Sequence, residues 1–279
     1  MKSLIRVTAW ERAAWWRRLL CAFGRVAALI CVIVVLFAVL GPPIGAYLLV
    51  RKIAKGTPAV YITPQPLRDY SVSDAAGTEL SYFGYSFEVP WKGISKKREA
   101  PNKSGPGGLV FVGFDSGQSV LLIVPGDQSG LFGEMVHDKD MQYLKPVFGD
   151  LAKGSPYDQY AALLNMSPSA IRIFGPSRER GGRMALLMVK AIALPKSLET
   201  GAFSFQLPGK RGFQIGDPSK SQRVQLEVLD LDGHYVEIIC SASKNGANLR
   251  QSELNGILTT LRVVSPNAAG NVVSETLAR

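Results

Sequence analysis

Twenty-five consecutive residues, Val26 to Val50, carry no charge, and Arg25 and Arg51-Lys52 bracket them. A helix needs roughly twenty apolar residues to cross a bilayer, and no other stretch of the 279 residues comes near that length. Inside lipid every backbone amide must bond within its own segment, so an isolated run of this kind is predicted to be a helix. Gly41-Pro42-Pro43 lies in its outer third and predicts a kink, because proline removes donors and clashes with the preceding turn. The run therefore divides the chain. Residues 1–25 are expected to be a cytoplasmic basic segment, 26–50 a transmembrane helix, 51–78 a tether, 79–264 an outer domain and 265–279 a flexible tail.

Orientation follows from the flanks. Lys2, Arg6, Arg12, Arg17, Arg18 and Arg25 precede the run, opposed only by Glu11, whereas Arg51, Lys52 and Lys55 follow it. An excess of Lys and Arg marks the cytoplasmic side. The expectation is a single-pass protein of the cell (inner) membrane with its C-terminal domain outside. Trp10, Trp15 and Trp16 lie among these arginines and suit the headgroup layer. The competing reading is a cleaved leader, which has a shorter apolar core and a small-x-small site. Here Ile44-Gly45-Ala46 matches such a site poorly, and Tyr47 to Val50 prolong the run.

The formal charge of +10 resolves under the same division. Residues 1–55 hold nine Lys/Arg against one acid, and the remaining 224 residues hold 23 against 21. The outer part is near neutral, so nucleic-acid binding loses its electrostatic support. An outer part of this size can build its own core. Its only cysteine is Cys240, which excludes an internal disulfide there.

Alternation at period two marks half-buried strands. Phe83, Tyr85, Phe87 and Val89 predict a strand from Tyr82 to Pro90, preceded from Gly56 to Gln65 by a stretch without regular elements. Residues 92–108 read as a polar loop. Leu109–Phe114 and Gln118–Val124 flank Asp115-Ser116-Gly117, and Val224–Leu231 and Tyr235–Ser241 flank Asp232-Gly233; both pairs predict hairpins. Ser155-Pro156 predicts a helix start ahead of Tyr160, Leu163 and Leu164. Met184–Leu194, Ala202–Leu207 and Phe213–Ile215 read as strands. Leu254, Ile257, Leu258 and Leu261 fall at i, i+3, i+4 and i+7 of a last helix, about Asn248 to Leu261. The predicted class is α+β: one transmembrane helix, then a single antiparallel-sheet domain with packed helices.

The opening strand YSFEVPW, the late strands around LDLDGHYVEI and the closing helix ELNGILTTLRVV resemble, in order and spacing, PsbP-type α/β/α domains. The GYSFEVPW text is also similar to that of single-pass membrane proteins of bacteria. The resemblance covers about residues 82–264, without a place for 131–183. It implies a binding or assembly module with no shared catalytic site, and it transfers no functional residue.

Catalytic patterns are sparse. Glu134 and His137 would share a helix face, but a carboxylate metal site needs a second such contribution. Asp230, Asp232 and Gly233 lack the spaced oxygen ligands of a calcium loop. In Gly113-Phe114-Asp115-Ser116-Gly117 the serine is one position late for a nucleophile elbow. Cys240 sits in an apolar strand with no base nearby in sequence. No metal, cofactor or catalytic residue is assigned, and the chain is not expected to be an enzyme. The alternative, a membrane-tethered hydrolase, would need a site assembled from distant residues, such as Asp115, Ser116 and His234 meeting. The expected partners are the lipid bilayer through Val26–Val50 and an envelope protein. Two basic segments read as loops, Arg178, Arg180 and Arg183 in PSRERGGR and Lys210-Arg211 in LPGKRGF. They are candidates for contact with an anionic surface, with Glu179 opposing the first.

Overall fold

The computed structural model describes residues 44–73, 77–102, 106–126, 132, 148–172, 176–231, 233–243 and 248–264. Val26–Pro43 of the predicted span lies outside them, as do the predicted kink, segment 1–25, the Glu134/His137 pair and the tail 265–279. Among the described residues no helix is long and apolar enough to cross a membrane.

Eleven strands form two sheets among the described residues. They are β1 (Gln65–Pro66), β2 (Thr78–Tyr82), β3 (Tyr85–Val89), β4 (Ile94–Pro101), β5 (Gly108–Phe114), β6 (Gln118–Val124), β7 (Ala202–Leu207), β8 (Lys210–Ile215), β9 (Arg223–Leu231), β10 (His234–Ala242) and β11 (Arg262–Val263). The large sheet runs β1-β7-β8-β9-β10-β6-β5-β4, and the small one β11-β3-β2. The α-helices of more than one described residue are α1 (44–56), α2 (Pro156–Asn165), α3 (Ser177–Ala193) and α4 (Gln251–Thr260). The α+β class stands. The single antiparallel sheet is corrected on two counts: β1 pairs parallel to β7, and β2, β3 and β11 form a sheet of their own.

Both predicted hairpins form, as β5–β6 and β9–β10. So does α2, whose N-cap Ser155 and Asp158 make reciprocal capping bonds with Pro156 in the first turn. In α4, Leu254, Ile257 and Leu258 are fully buried. Four expectations fail. The strand set at Tyr82–Pro90 forms only from Tyr85 to Val89, as β3, because Phe83 (φ 52) and Gly84 (φ 83) are the turn of a β2–β3 hairpin. Both central residues need positive φ in such a two-residue turn, and Phe83 accepts that conformation while its ring packs against the core. The loop at 92–108 contains β4, an edge strand whose eight residues are all exposed. Lys96, Lys97 and Arg98 make it read as loop, and charge is how natural edge strands avoid pairing with other chains. The strand read at Met184–Leu194 is instead the C-terminal part of α3, with Leu194 as its C-cap. A short apolar run does not distinguish strand from buried helix, and Ala, Leu and Met favour the latter.

The fourth correction concerns the tether. Pro58–Tyr61 is a 3-10 turn with Ala59 and Val60 buried, and Leu67 joins the main core. The helix α1 continues past Val50 to residue 56, and Val50 and Ala54 pack with Val60, Ile171 and Leu187.

One face of the large sheet holds Val110, Val112, Val120, Leu122, Val224, Leu226, Val236 and Ile238, and α4 and the β2–β3 hairpin cover it. On the other face α2 places Tyr160 and Leu164 over Phe213, Ile215 and Leu229. The approach of β8 to β9 is tight at Gly212, where a Cβ would lie 1.9 Å from the Glu227 carbonyl oxygen. Lys190 of α3 is 1% exposed. Its ammonium donates to the carbonyl oxygens of Ile62 (2.6 Å), Leu164 (2.6 Å) and Met166 (2.7 Å). It thus joins α3 to the 58–62 turn and to the carbonyl end of α2, where a cation is favoured.

Candidate functional site

Strand alternation places Gln225 and Glu227 of β9 on the face opposite Val224, Leu226 and Val228. Register then lines up one row across this second face: Ala100, Leu109, Ile123, Glu237, Glu227, Phe213 and Ser204. The neighbouring row is Arg98, Phe111, Leu121, Ile239, Gln225, Ile215 and Ala202. The two rows pass from a covered half under α2 to an open half on β4–β6. On the open half Leu109 is 43% exposed, and Phe111, Leu121 and Ile123 are half-buried. The opposite face of the same strands, Val110, Val112, Val120 and Leu122, is at most 1% exposed.

A carboxylate pair marks the boundary between the halves. Glu227 is fully buried. It accepts from the Tyr160 hydroxyl (2.7 Å) and the Tyr235 hydroxyl (3.0 Å), and also from the Gln225 amide. Glu237 stands directly across the strand pair from it. Burial raises the Glu227 carboxyl above its usual range, while the three donors pull it back and favour the ionised form. Burial, then the Glu227 charge, push Glu237 up to about 8, against a smaller opposing pull from Arg223. Both carboxyls of the pair are thus raised, and burial is the larger cause in each. Burial, followed by the Glu227 charge, also holds the Tyr160 hydroxyl well above its ordinary value. The arrangement sets two carboxyls face to face at the edge of an apolar surface.

The basic residues singled out from the sequence do not lie in loops. Arg178, Arg180 and Arg183 fall on α3. Arg183 pairs with Glu179 at 2.6 Å and donates to the Ala170 carbonyl. Lys210 and Arg211 open β8. The Lys210 ammonium donates to the carbonyls of Leu258 (2.7 Å), Thr259 (3.0 Å) and Leu261 (2.6 Å), closing the C-terminus of α4. Arg211 donates from Nε to Asp230 at 2.9 Å and lies 4.4 Å over the Tyr157 ring. Gln206, Leu207, Gly209, Lys210, Arg211 and Asp230 line a shallow depression of about 370 Å³ there.

Asp115, Ser116 and His234 do not meet. Ser243 donates to the Gly117 carbonyl, so the β5–β6 turn lies at the far end of β10 from His234. The His234 ring instead stands edge-on to Tyr85 at 6.4 Å. Cys240 is buried, and burial raises its thiol far above the ordinary value. No group of three or more His, Cys, Asp or Glu suited to a metal ion occurs among the described residues. Glu227, Glu237 and Lys190 were not singled out from the sequence. The available signal was a charged residue at a core-facing position: a glutamate alternating with Val and Leu in β9, and one lysine inside MALLMVKAIAL.

No family model, curated protein or solved structure matches the chain.

Proposed function

We propose that the chain is a single-pass membrane protein whose outer α+β domain binds an envelope protein across the open half of its large sheet. The observation that carries this reading is the apolar patch of Leu109, Phe111, Leu121 and Ile123, left part-exposed on strands whose other face is sealed. Exposed contiguous apolar surface on a folded domain marks an interaction site. Lys96 and Arg98 border the patch on β4, and Glu237 borders it on β10. A fitting partner presents apolar side chains and, on the side toward β4, acidic ones. Membrane attachment is supported by the uncharged run Val26–Pro43 leading directly into α1. The likeness of layout to PsbP-type binding and assembly modules points the same way.

A photo-reactive phenylalanine analogue at Phe111 or Leu121, in the full chain in its native membrane, tests the patch. Both positions are expected to give one protein adduct of defined mass. It should be absent when the analogue replaces exposed Ser219, and weakened by Lys96→Glu with Arg98→Glu. No adduct above the Ser219 control would remove the patch as a binding surface. In the same membranes, protease added from outside is expected to reach the domain and spare an N-terminal tag.

The second reading, a tethered hydrolase, draws on the Glu227–Glu237 pair, since two facing carboxyls suit general acid–base work. Against it, both oxygens of Glu227 are occupied by donors and the residue is fully buried. Turnover of an ester or glycoside that Glu237→Gln abolishes would favour this reading.

A further inference from the structure

The outward side of α1 changes character within one turn. Ile44, Tyr47 and Leu48 are 53%, 50% and 56% exposed, and Arg51, Lys52 and Lys55, also exposed, follow. Such a change from apolar to basic is where a helix passes from hydrocarbon to headgroups, the long cations reaching for the phosphates. At that level, on its inward side, α1 packs Val50 and Ala54 against Leu187 of α3. The helix α3 therefore lies beside the point where the anchor would leave the bilayer.

The faces of α3 are spoken for in sequence. Met184, Leu187 and Ala191 join the α1 cluster. Ala185, Leu186 and Val189 join the α2 cluster, and Lys190 is buried between them. Met188 and Ile192, four residues apart and so neighbours on the helix surface, point away from Lys190, between the α1 side and the α2 side. They are 41% and 79% exposed, and Ile192 is the most exposed large apolar residue described.

We propose that Met188 and Ile192 enter the interfacial layer of the bilayer in which α1 is rooted, so that α3 lies on the membrane as a second contact. This rests on the reading of Val26–Val50 as the anchor. The occupant is a lipid surface because the uncharged chain ends at α1 and α1 is fixed to α3. A domain held at two points has a fixed tilt, which would aim the open half of the sheet in one direction relative to the membrane.

The test uses the full chain, with Cys21, Cys31 and Cys240 replaced by Ser, in phosphatidylcholine–phosphatidylglycerol vesicles. One nitroxide is placed at Met188→Cys, Ile192→Cys, Leu36→Cys or Ser219→Cys. Accessibility to oxygen and to a water-soluble nickel chelate is then measured. Positions 188 and 192 are expected to show an oxygen-to-nickel ratio several-fold above that of 219, approaching that of 36. If 36 reads as lipid while 188 and 192 read as water like 219, the α3 contact is wrong and the anchor stands. If 36 also reads as water, the anchor reading fails and takes this inference with it. Labels at 188 and 192 that neither reagent reaches would mean that protein covers the stripe, which also overturns it.

Discussion

Glu237 shows how a residue's chemistry is set by what lies across the strand from it. Its carboxyl is pushed up to about 8 from the ordinary 4.5 because it is half-buried and faces Glu227. The folded state therefore holds a proton that the unfolded chain releases over that interval. Its stabilising effect is complete below pH 4.5 and lost as pH rises through about 8. The loss runs at about 1.4 kcal/mol for each pH unit separating the folded and unfolded carboxyls. Glu237→Gln is expected to flatten this profile, so that denaturant midpoints at pH 5 and pH 8 lie closer together than in the parent. An unchanged difference would mean that Glu237 is solvated.

At the scale of elements, two helices end on lysines from elsewhere in the chain. Lys190 meets the carbonyls closing α2, and Lys210 those closing α4. Each supplies a charged donor where helix carbonyls lack intrahelical partners. Lys210 spends its donors there, which counts against its meeting an anionic surface. The packing of α4 rests on its apolar side, and Leu258 is wholly buried in the main core. Leu258→Ala is expected to cost roughly 2–5 kcal/mol in chemical denaturation, the usual cost of emptying a core site. A variant as stable as the parent would mean that the site collapses around the loss or that α4 is not packed on the sheet.

For the whole molecule, attachment replaces tethering. Because Val50 and Ala54 are buried against Val60, Ile171 and Leu187, α1 belongs to the folded domain. A fragment 57–279 lacks those contacts and is expected to unfold at lower denaturant than a fragment 44–279. The difference should be about 1.5–3 kcal/mol, the worth of burying one Val-sized side chain. Neither midpoint should respond to reductant, since Cys240 is the only cysteine in either fragment. Equal midpoints would restore a loose linker.

The elements legible in the sequence were those whose signal is local. Asp115-Ser116-Gly117 and Asp232-Gly233 announce hairpins through turn chemistry, Ser155-Pro156 a helix start, and Leu254 to Leu261 a buried helix face, all within a few residues. The β4 strand was not legible because an edge strand needs no apolar face of its own and pairs along one side only, with β5. The helical state of Met184–Leu194 was decided by α1 and α2 packing on its two sides. The candidate site lay further out of reach. Glu227 shows locally only as a glutamate among Val and Leu, and strand pairing alone brings it to Glu237, under Tyr160 from 67 residues earlier than Glu227. Sequence alone determines where charge and apolar length divide this chain. Which polar groups are buried, and which apolar ones are left bare, depends on long-range pairing, because burial is a property of the assembled sheet and not of any residue in it.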